Sequence, residues 1–505
     1  MNMMIVIYAA LAASFCYIIA LIFDQVSSTL RDIPGPFLAR FSRLWYLYRA
    51  YMGDFHLENI DLHRRHGPIV RIAPKTYSIS EPDKVVYGVG SRFAKSSWYE
   101  AWKHPDSMTL FADINAKRHN DSRRRLQNLY SLSSLVSYEA PVDDCNALFV
   151  QKLQHFANTG ETINLTHWLQ CYAFDAVGCI TFSKRFGFLD EGKDVDGMIE
   201  ANAQLLLYST CAGIYPKSHQ YIYPLLERLP GTGASGLAKI TDAVRNLIAS
   251  RKHVRQSSKA EKAKLEHSGH DAPGDFLDKI MNAQAADPGK VTDDHIFMLG
   301  WGNISAGSDT TGVSLSAILY HLIRNPEAMQ RLVDEVSTAR DEGKCTNVSV
   351  PFAETHQMPF LQACIKEGMR LHSATGLPLW RVVPKGGAEV CGRFFPEGNV
   401  VGVNTWVAHY SEDVFGQDAH VFRPERWLEA SEDELRMMES FFIPFGKGSR
   451  TCIGRHISML EMSKLLPVLV QNFEFELVGV GEHWKTQNHW FVMPLNFNVN
   501  VRVKA

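Results

Sequence analysis

The sequence predicts a mainly α-helical chain with small β-sheets, preceded by one N-terminal transmembrane helix. Three observations predict this. Residues 3–23 carry no charged side chain, and about 20 helical residues at roughly 1.5 Å each span a hydrocarbon layer of about 30 Å. Helical patterns follow one another from 140 to 250, and one long pattern runs from Val291 to Arg324. Apolar–polar alternation is confined to short stretches, around 64–80 and 496–503.

The bulk composition narrows the function classes. A net charge of -2 over 505 residues supplies no basic field for nucleic acid. Hydrophobic residues make up 46% of the chain, enough for a sizeable core, and no repeat or low-complexity linker divides it. The nine cysteines are odd in number and scattered, unlike a disulfide framework, which places the soluble part in a reducing compartment.

In chain order, residues 1–23 read as the anchor and 24–50 as a hinge and linker, stiffened by Pro34-Gly35-Pro36; residues 51–505 read as the main domain. The first basic residues, Arg31, Arg40, Arg43 and Arg49, follow the span, so the bulk of the chain is expected in the cytosol. Ile69-Val70-Arg71-Ile72, between Gly67-Pro68 and Pro74, reads as part of a short hairpin. Residues 96–115 are helix-poor and rich in aromatics, with Trp98, Tyr99, Trp102 and Phe111. His119 and Arg123 then lie four apart on one helical face, a cationic face that suits an anion. Residues 251–275, charged and rich in Ser, Lys and His, read as a surface loop.

The long helix from Val291 has Thr292 as N-cap and stops at Asn325-Pro326. Within it stand Ala306-Gly307-Ser308-Asp309-Thr310-Thr311. The Thr310 hydroxyl can bond back to the Ala306 carbonyl, leaving a small gap beside a hydroxyl and a carboxylate. Asn303, two turns before Thr310, is expected to look into the same cavity and to bond a polar group of the substrate. Glu367 and Arg370 sit three apart on a further helix.

Phe445 to Gly454 reads Phe-Gly-Lys-Gly-Ser-Arg-Thr-Cys-Ile-Gly. Gly446 and Gly448 permit a tight turn that can aim several N–H groups at the Cys452 sulfur. With Arg450 nearby, those donors favour a thiolate. No Cys or His stands at zinc spacing beside it, whereas a single thiolate suits an axial haem ligand. A buried structural cysteine in a glycine turn is the alternative. The apolar run from Ile457 reads as a helix that Pro467, lying within it, should kink.

The stretch Phe445–Gly454 resembles the haem-binding signature FxxGxRxCxG of the cytochrome P-450 family, complete at every fixed position. The segment at Ala306–Thr311 resembles the family's oxygen-activation motif. Lys366-Glu-Gly-Met-Arg370 resembles its ExxR pair, and Phe422-Arg-Pro-Glu-Arg426-Trp427 its partner segment, with Trp427 where Phe is usual. The chain resembles fungal members that tailor secondary metabolites, such as the pisatin-demethylase-like group.

The resemblance implies a P-450 fold with haem between the long helix and the helix after Cys452. It implies Cys452 as iron ligand and Asp309 and Thr310 as proton-delivering groups. His119, Arg123, Ala306, Gly307, Arg381, Phe445, Arg450 and Gly454 would contact haem. Glu367, Arg370 and Arg426 would form a buried structural network. Trp98, Phe111, Asn303, Leu377 and Trp490, the last at a hairpin tip, would meet a small apolar substrate. Electrons are expected from NADPH through the flavins of a partner reductase, with cytochrome b5 as a further donor, since the chain has no flavin or dinucleotide domain. The expected reaction is hydroxylation or another oxidation using dioxygen, at the endoplasmic reticulum membrane with a single-pass anchor. Desaturation, coupling or rearrangement without oxygen insertion, and a membrane-anchored haem sensor, are the alternatives.

Overall fold

The computed structural model describes residues 27–256, 274–479 and 484–504, together with Tyr8, Ile19 and Phe23. Those three residues apart, the expected transmembrane helix lies outside the described residues, as does most of the charged loop 251–275. Among the described residues, no helix is long and apolar enough to cross a membrane.

The architecture is built around the helix Asp293–Ile323. Thr292 and His295 close its first turn by satisfying each other's backbone N–H groups, and Asn325-Pro326 begins the next helix just beyond its end. It is apolar on nearly all sides because the helices Leu165–Phe182, Gly233–Gln256, Pro359–Leu371 and Arg455–Asn472 all pack on it. Together they bury the largest hydrophobic core.

The strands are few and short. They are β1 (Ile69–Ala73), β2 (Thr76–Ile79), β3 (Ala94–Lys95), β4 (Ile163–Asn164), β5 (Arg381–Val382), β6 (Ala388–Val390), β7 (Arg393–Phe395), β8 (Val400–Val403), β9 (Phe473–Leu477), β10 (Lys485–His489), β11 (Phe491–Leu495) and β12 (Asn498–Val503). The main sheet has the order β1-β2-β8-β5-β3; β4-β12-β9 form a second sheet, and β6–β7 and β10–β11 are hairpins. The expected hairpin at 64–80 is β1–β2, and the alternation near the C-terminus is β12.

The segment expected to act as a hinge is bound into the main sheet. The Arg71 N–H donates to the Pro34 carbonyl at 2.8 Å and the Arg71 guanidinium to the Leu30 carbonyl at 2.6 Å. Leu30 and Ile33 are buried with β2 and β8 residues. Gly35 is required here: a Cβ would stand 2.2 Å from the Arg71 carbonyl oxygen. The folded unit therefore begins before residue 51, and the helix Leu44–Met52 buries Tyr46 and Ala50 within it.

Candidate active site

The turn before Cys452 is fixed by its backbone. Gly446 and Gly448 have φ of 70° and 67°, and the Cys452 N–H returns to the Phe445 carbonyl at 2.7 Å. A Cβ on Gly448 would lie 2.0 Å from the Tyr87 carbonyl oxygen. Cys452 thus stands just before the N-terminus of the helix Arg455–Asn472, where N–H groups are free to point at an anion.

Cys452 lies deep in the fold, yet its side chain is exposed, so it faces an internal void. Burial pushes its thiol up, while the Gly454 and Arg455 N–H groups and the Arg123 and Arg455 guanidiniums pull it down. The expected thiolate-stabilising part of Arg450 is corrected: its guanidinium turns to the Asp113 carbonyl at 2.8 Å. Beyond Gly454 the space is open, since a Cβ there would meet only Cys452 Sγ, at 4.0 Å.

A second surface in the long helix is accessible in the same way. Ala306 is exposed, and Gly302, Gly307 and Thr310 are half-buried, in a helix otherwise almost wholly enclosed. Residues 302, 306 and 310 recur every four positions and share a face. The Thr310 hydroxyl donates to the Ala306 carbonyl at 2.7 Å, as the spacing predicts. One residue further, Thr311 Oγ1 donates to Ser458 Oγ at 3.1 Å, tying this helix to the one that follows Cys452.

Asp309 is not beside Thr310 in this void. It is 2% exposed, and its two oxygens accept from Gln170 Nε2 and Asn202 Nδ2, each at 2.6 Å. Burial raises its carboxyl to about 6 against the pull of those two amides. Asn303 also departs from expectation. Its Oδ1 accepts from the Tyr130 hydroxyl at 2.6 Å and its Nδ2 donates to Thr181 at 3.0 Å. The seven-residue spacing gives the right helical sector, but these partners draw the amide into the core instead of the cavity.

His119, Arg123, Arg381 and Arg450 do come together, with a fifth basic residue, Lys95, that the sequence did not reveal. Lys95 is directly opposite Arg381 across β3 and β5, a like-charge pair that destabilises a strand ladder. Burial, then Arg381 and Arg450, hold the Lys95 ammonium well below its ordinary value. Burial, then Arg450, lower His119 to about 3, and burial with Arg381 brings Arg450 down to about 10. The nearby carboxylate, Asp113, is already paired with Arg118 through two bonds of 2.8 Å. Such a buried cation cluster calls for an outside anion.

Glu367 is the hub of a buried network. Both its oxygens bind Arg370, at 2.8 and 2.9 Å, and Oε1 also accepts from Arg426 Nε at 2.9 Å. Trp427 Nε1 donates to Oε2 at 2.9 Å, a bond that Phe could not make. Trp98, Phe111, Leu377 and Trp490 meet in one cluster with Tyr99 and Trp102.

The cytochrome P-450 family profile matches residues 34–500. The chain belongs to the cytochrome P-450 family. It is 39% identical to a pisatin demethylase of Fusarium vanettenii over 94% of this chain and 90% of the relative. It is 33% identical to the cytochrome P-450 monooxygenase cicH of Emericella nidulans over 97% of each. It is 31% identical to the monooxygenase gsfF of Penicillium aethiopicum over 100% of each. This P-450 is accordingly an oxidoreductase, a haem-thiolate monooxygenase.

The residues present fit haem. The void is bordered by a cysteine at a helix N-terminus, and the cation cluster lacks the anion that two propionates would supply. Another cysteine with charged neighbours, Cys391, does not suit the ligand's part. It sits in the β6–β7 turn, where burial and the Glu81 and Asp83 carboxylates push its thiol far up.

Proposed function

We propose that the Cys452 thiolate would hold the haem iron and that this P-450 oxidises a small apolar molecule of fungal secondary metabolism. The observation that carries the reading is Cys452 on an internal void, with N–H donors behind it and unpaired cations nearby. Lys95, His119, Arg123, Arg381 and Arg450 would bind the propionates, and Ala306, Gly307, Phe445 and Gly454 would border the ring. Glu367, Arg370 and Arg426 hold the cysteine segment in place.

Haem, when bound, supplies reductive activation of dioxygen. The chain's own residues then govern protons and access. Thr310 presents a hydroxyl to the void, and Asp309, with its carboxyl raised to about 6, can hold a proton near neutral pH. To pass it on, Asp309 must leave Gln170 or Asn202 and turn toward Thr310. The buried aromatics about Trp98 and Trp490 keep water from the substrate side.

Electrons reach this enzyme from NADPH through a partner reductase, with cytochrome b5 as a second donor. The uncharged run 3–23 anchors residues 24–505 to the cytosolic face of the endoplasmic reticulum. Exposed Phe37, Leu38, Leu44, Tyr48 and Tyr51 near that end supply an apolar patch suited to a membrane. Co-sedimentation with phosphatidylcholine vesicles, lost on removing residues 1–26, tests the attachment.

The test of function compares metabolites from cells carrying the chain and a reductase with those from cells carrying Cys452→Ala. A product gaining one oxygen only with Cys452 is expected. A product unchanged by the substitution would end the proposal.

A further inference from the structure

A cleft opens where the helix Ala116–Leu126 passes the first turn of the long helix. It offers about 390 Å³, and its wall includes Met108, Lys117, Arg125, Asp294, His295 and Met298. That volume suits a small molecule. His295 precedes Ala306 by about three helical turns, roughly 16 Å at about 1.5 Å per residue, so the cleft is separate from the void that Cys452 faces.

Two donors meet head-on in this cleft. The Thr292 N–H donates to His295 Nδ1 at 3.1 Å, closing the first turn. A backbone N–H can only donate, so Nδ1 is the bare nitrogen and the proton of the neutral ring sits on Nε2. Burial, then Arg125, hold the ring below its ordinary value, which keeps it neutral. Arg125 Nη1 stands 3.0 Å from that Nε2, yet a guanidinium also only donates. His295 is 5% exposed, and its Nε2–H is left facing the cleft without an acceptor. A buried donor in that position is costly.

The charges around the cleft select the missing acceptor. Arg118 is bound twice to Asp113, at 2.8 Å each, and Asp121 is bound by Arg124. Among the described residues, Lys117 and Arg125 meet no carboxylate and Asp294 forms no ion pair. Two cations against one carboxylate leave a single positive charge, and the N-terminus of a 31-residue helix adds to it. One negative charge balances this, whereas a dianion would be repelled by Asp294. Met108 and Met298, apolar and adaptable, supply a different kind of surface beside the charged groups.

We infer that this cleft binds an amphiphilic monocarboxylic acid, whose carboxylate bridges Arg125 and His295 Nε2–H and whose apolar body lies on Met108 and Met298. The carboxylate replaces a clash of donors with two charge-assisted bonds. None of these four residues belongs to the haem site, so the inference stands apart from the proposed function.

The test is equilibrium dialysis of the haem-loaded, full-length protein against 6-phenylhexanoate and against 6-phenylhexanol, which keeps the body and drops the charge. The acid should bind more tightly by roughly tenfold, the scale of a recovered bond to a charged group. The haem absorption should not move as the cleft fills. Arg125→Gln, at an exposed position, should remove the preference. Asp294→Asn, which takes away the opposing carboxylate, should tighten the acid by roughly threefold and leave the alcohol unchanged. A misfolded variant could not produce that gain. Equal binding of acid and alcohol, binding of neither, a preference that survives Arg125→Gln, acid binding that fails to rise in Asp294→Asn, or a haem absorption that shifts in step with acid binding would overturn the inference.

Discussion

His409 Nε2 accepts the Ile443 N–H at 2.9 Å, while its Nδ1 meets the Arg370 carbonyl at 3.0 Å. Because a backbone N–H can only donate, Nε2 is the bare nitrogen and Nδ1 carries the proton. Burial, reinforced by Arg370, lowers the ring to about 3, so it stays neutral. One imidazole thereby couples the Glu367–Arg370 pair to the chain two residues before Phe445.

Replacing that ring tests the coupling. His409→Leu leaves an N–H and a carbonyl unpaired in the core, at a cost on the order of 2 kcal/mol. The variant should lose haem while retaining helix content, measured as haem per protein and by far-ultraviolet dichroism. Full haem occupancy would show that the cysteine segment stands without this link.

Trp427→Phe removes one donor from Glu367 but leaves both arginines in place. Thermal unfolding should show a loss of about 1.5 kcal/mol, in keeping with one bond to a charged acceptor. Haem content should be unchanged, which separates this edge of the network from its centre.

Lys95→Met should act in opposite directions with and without cofactor. It relieves repulsion against Arg381 in the empty protein, which should unfold at higher temperature. In the loaded protein it removes a partner for a propionate, so haem should pass to a scavenging protein roughly tenfold faster. Slower haem loss in the variant would place the propionates elsewhere.

Asp309 gives a pH prediction with a definite sign. Its folded value, about 6, is raised above the ordinary carboxyl range, so the folded state binds the proton more tightly than the unfolded chain. This contribution to stability is fully present below pH of about 4 and is lost as pH rises through about 6. Asp309→Asn should flatten that dependence in thermal unfolding, and should slow turnover while haem stays bound. A variant as pH-sensitive as the wild type would show that another group titrates.

What could be read from the sequence follows the range of each interaction. The Thr310–Ala306 bond lies within one helical turn, the glycine turn spans ten residues, and Glu367 and Arg370 share one helix; all are local. Lys95 meets Arg381 only because β3 pairs with β5, and nothing near residue 95 announces it. His409 likewise acts through Arg370 and Ile443, each over 30 residues away. Asn303 shows the limit most sharply. Its helical sector follows from spacing, but Tyr130 and Thr181 decide where its amide points.

The docking of residues 30–36 on β1 determines how force enters the molecule. With Leu30 and Pro34 held by Arg71, and Arg393 grasping Thr29 and Asp32, there is no swivel between the leading segment and the main sheet. A pull applied ahead of residue 27 is delivered as torque on β1 and β2. Residues 29–36 and the main sheet therefore turn together as one body.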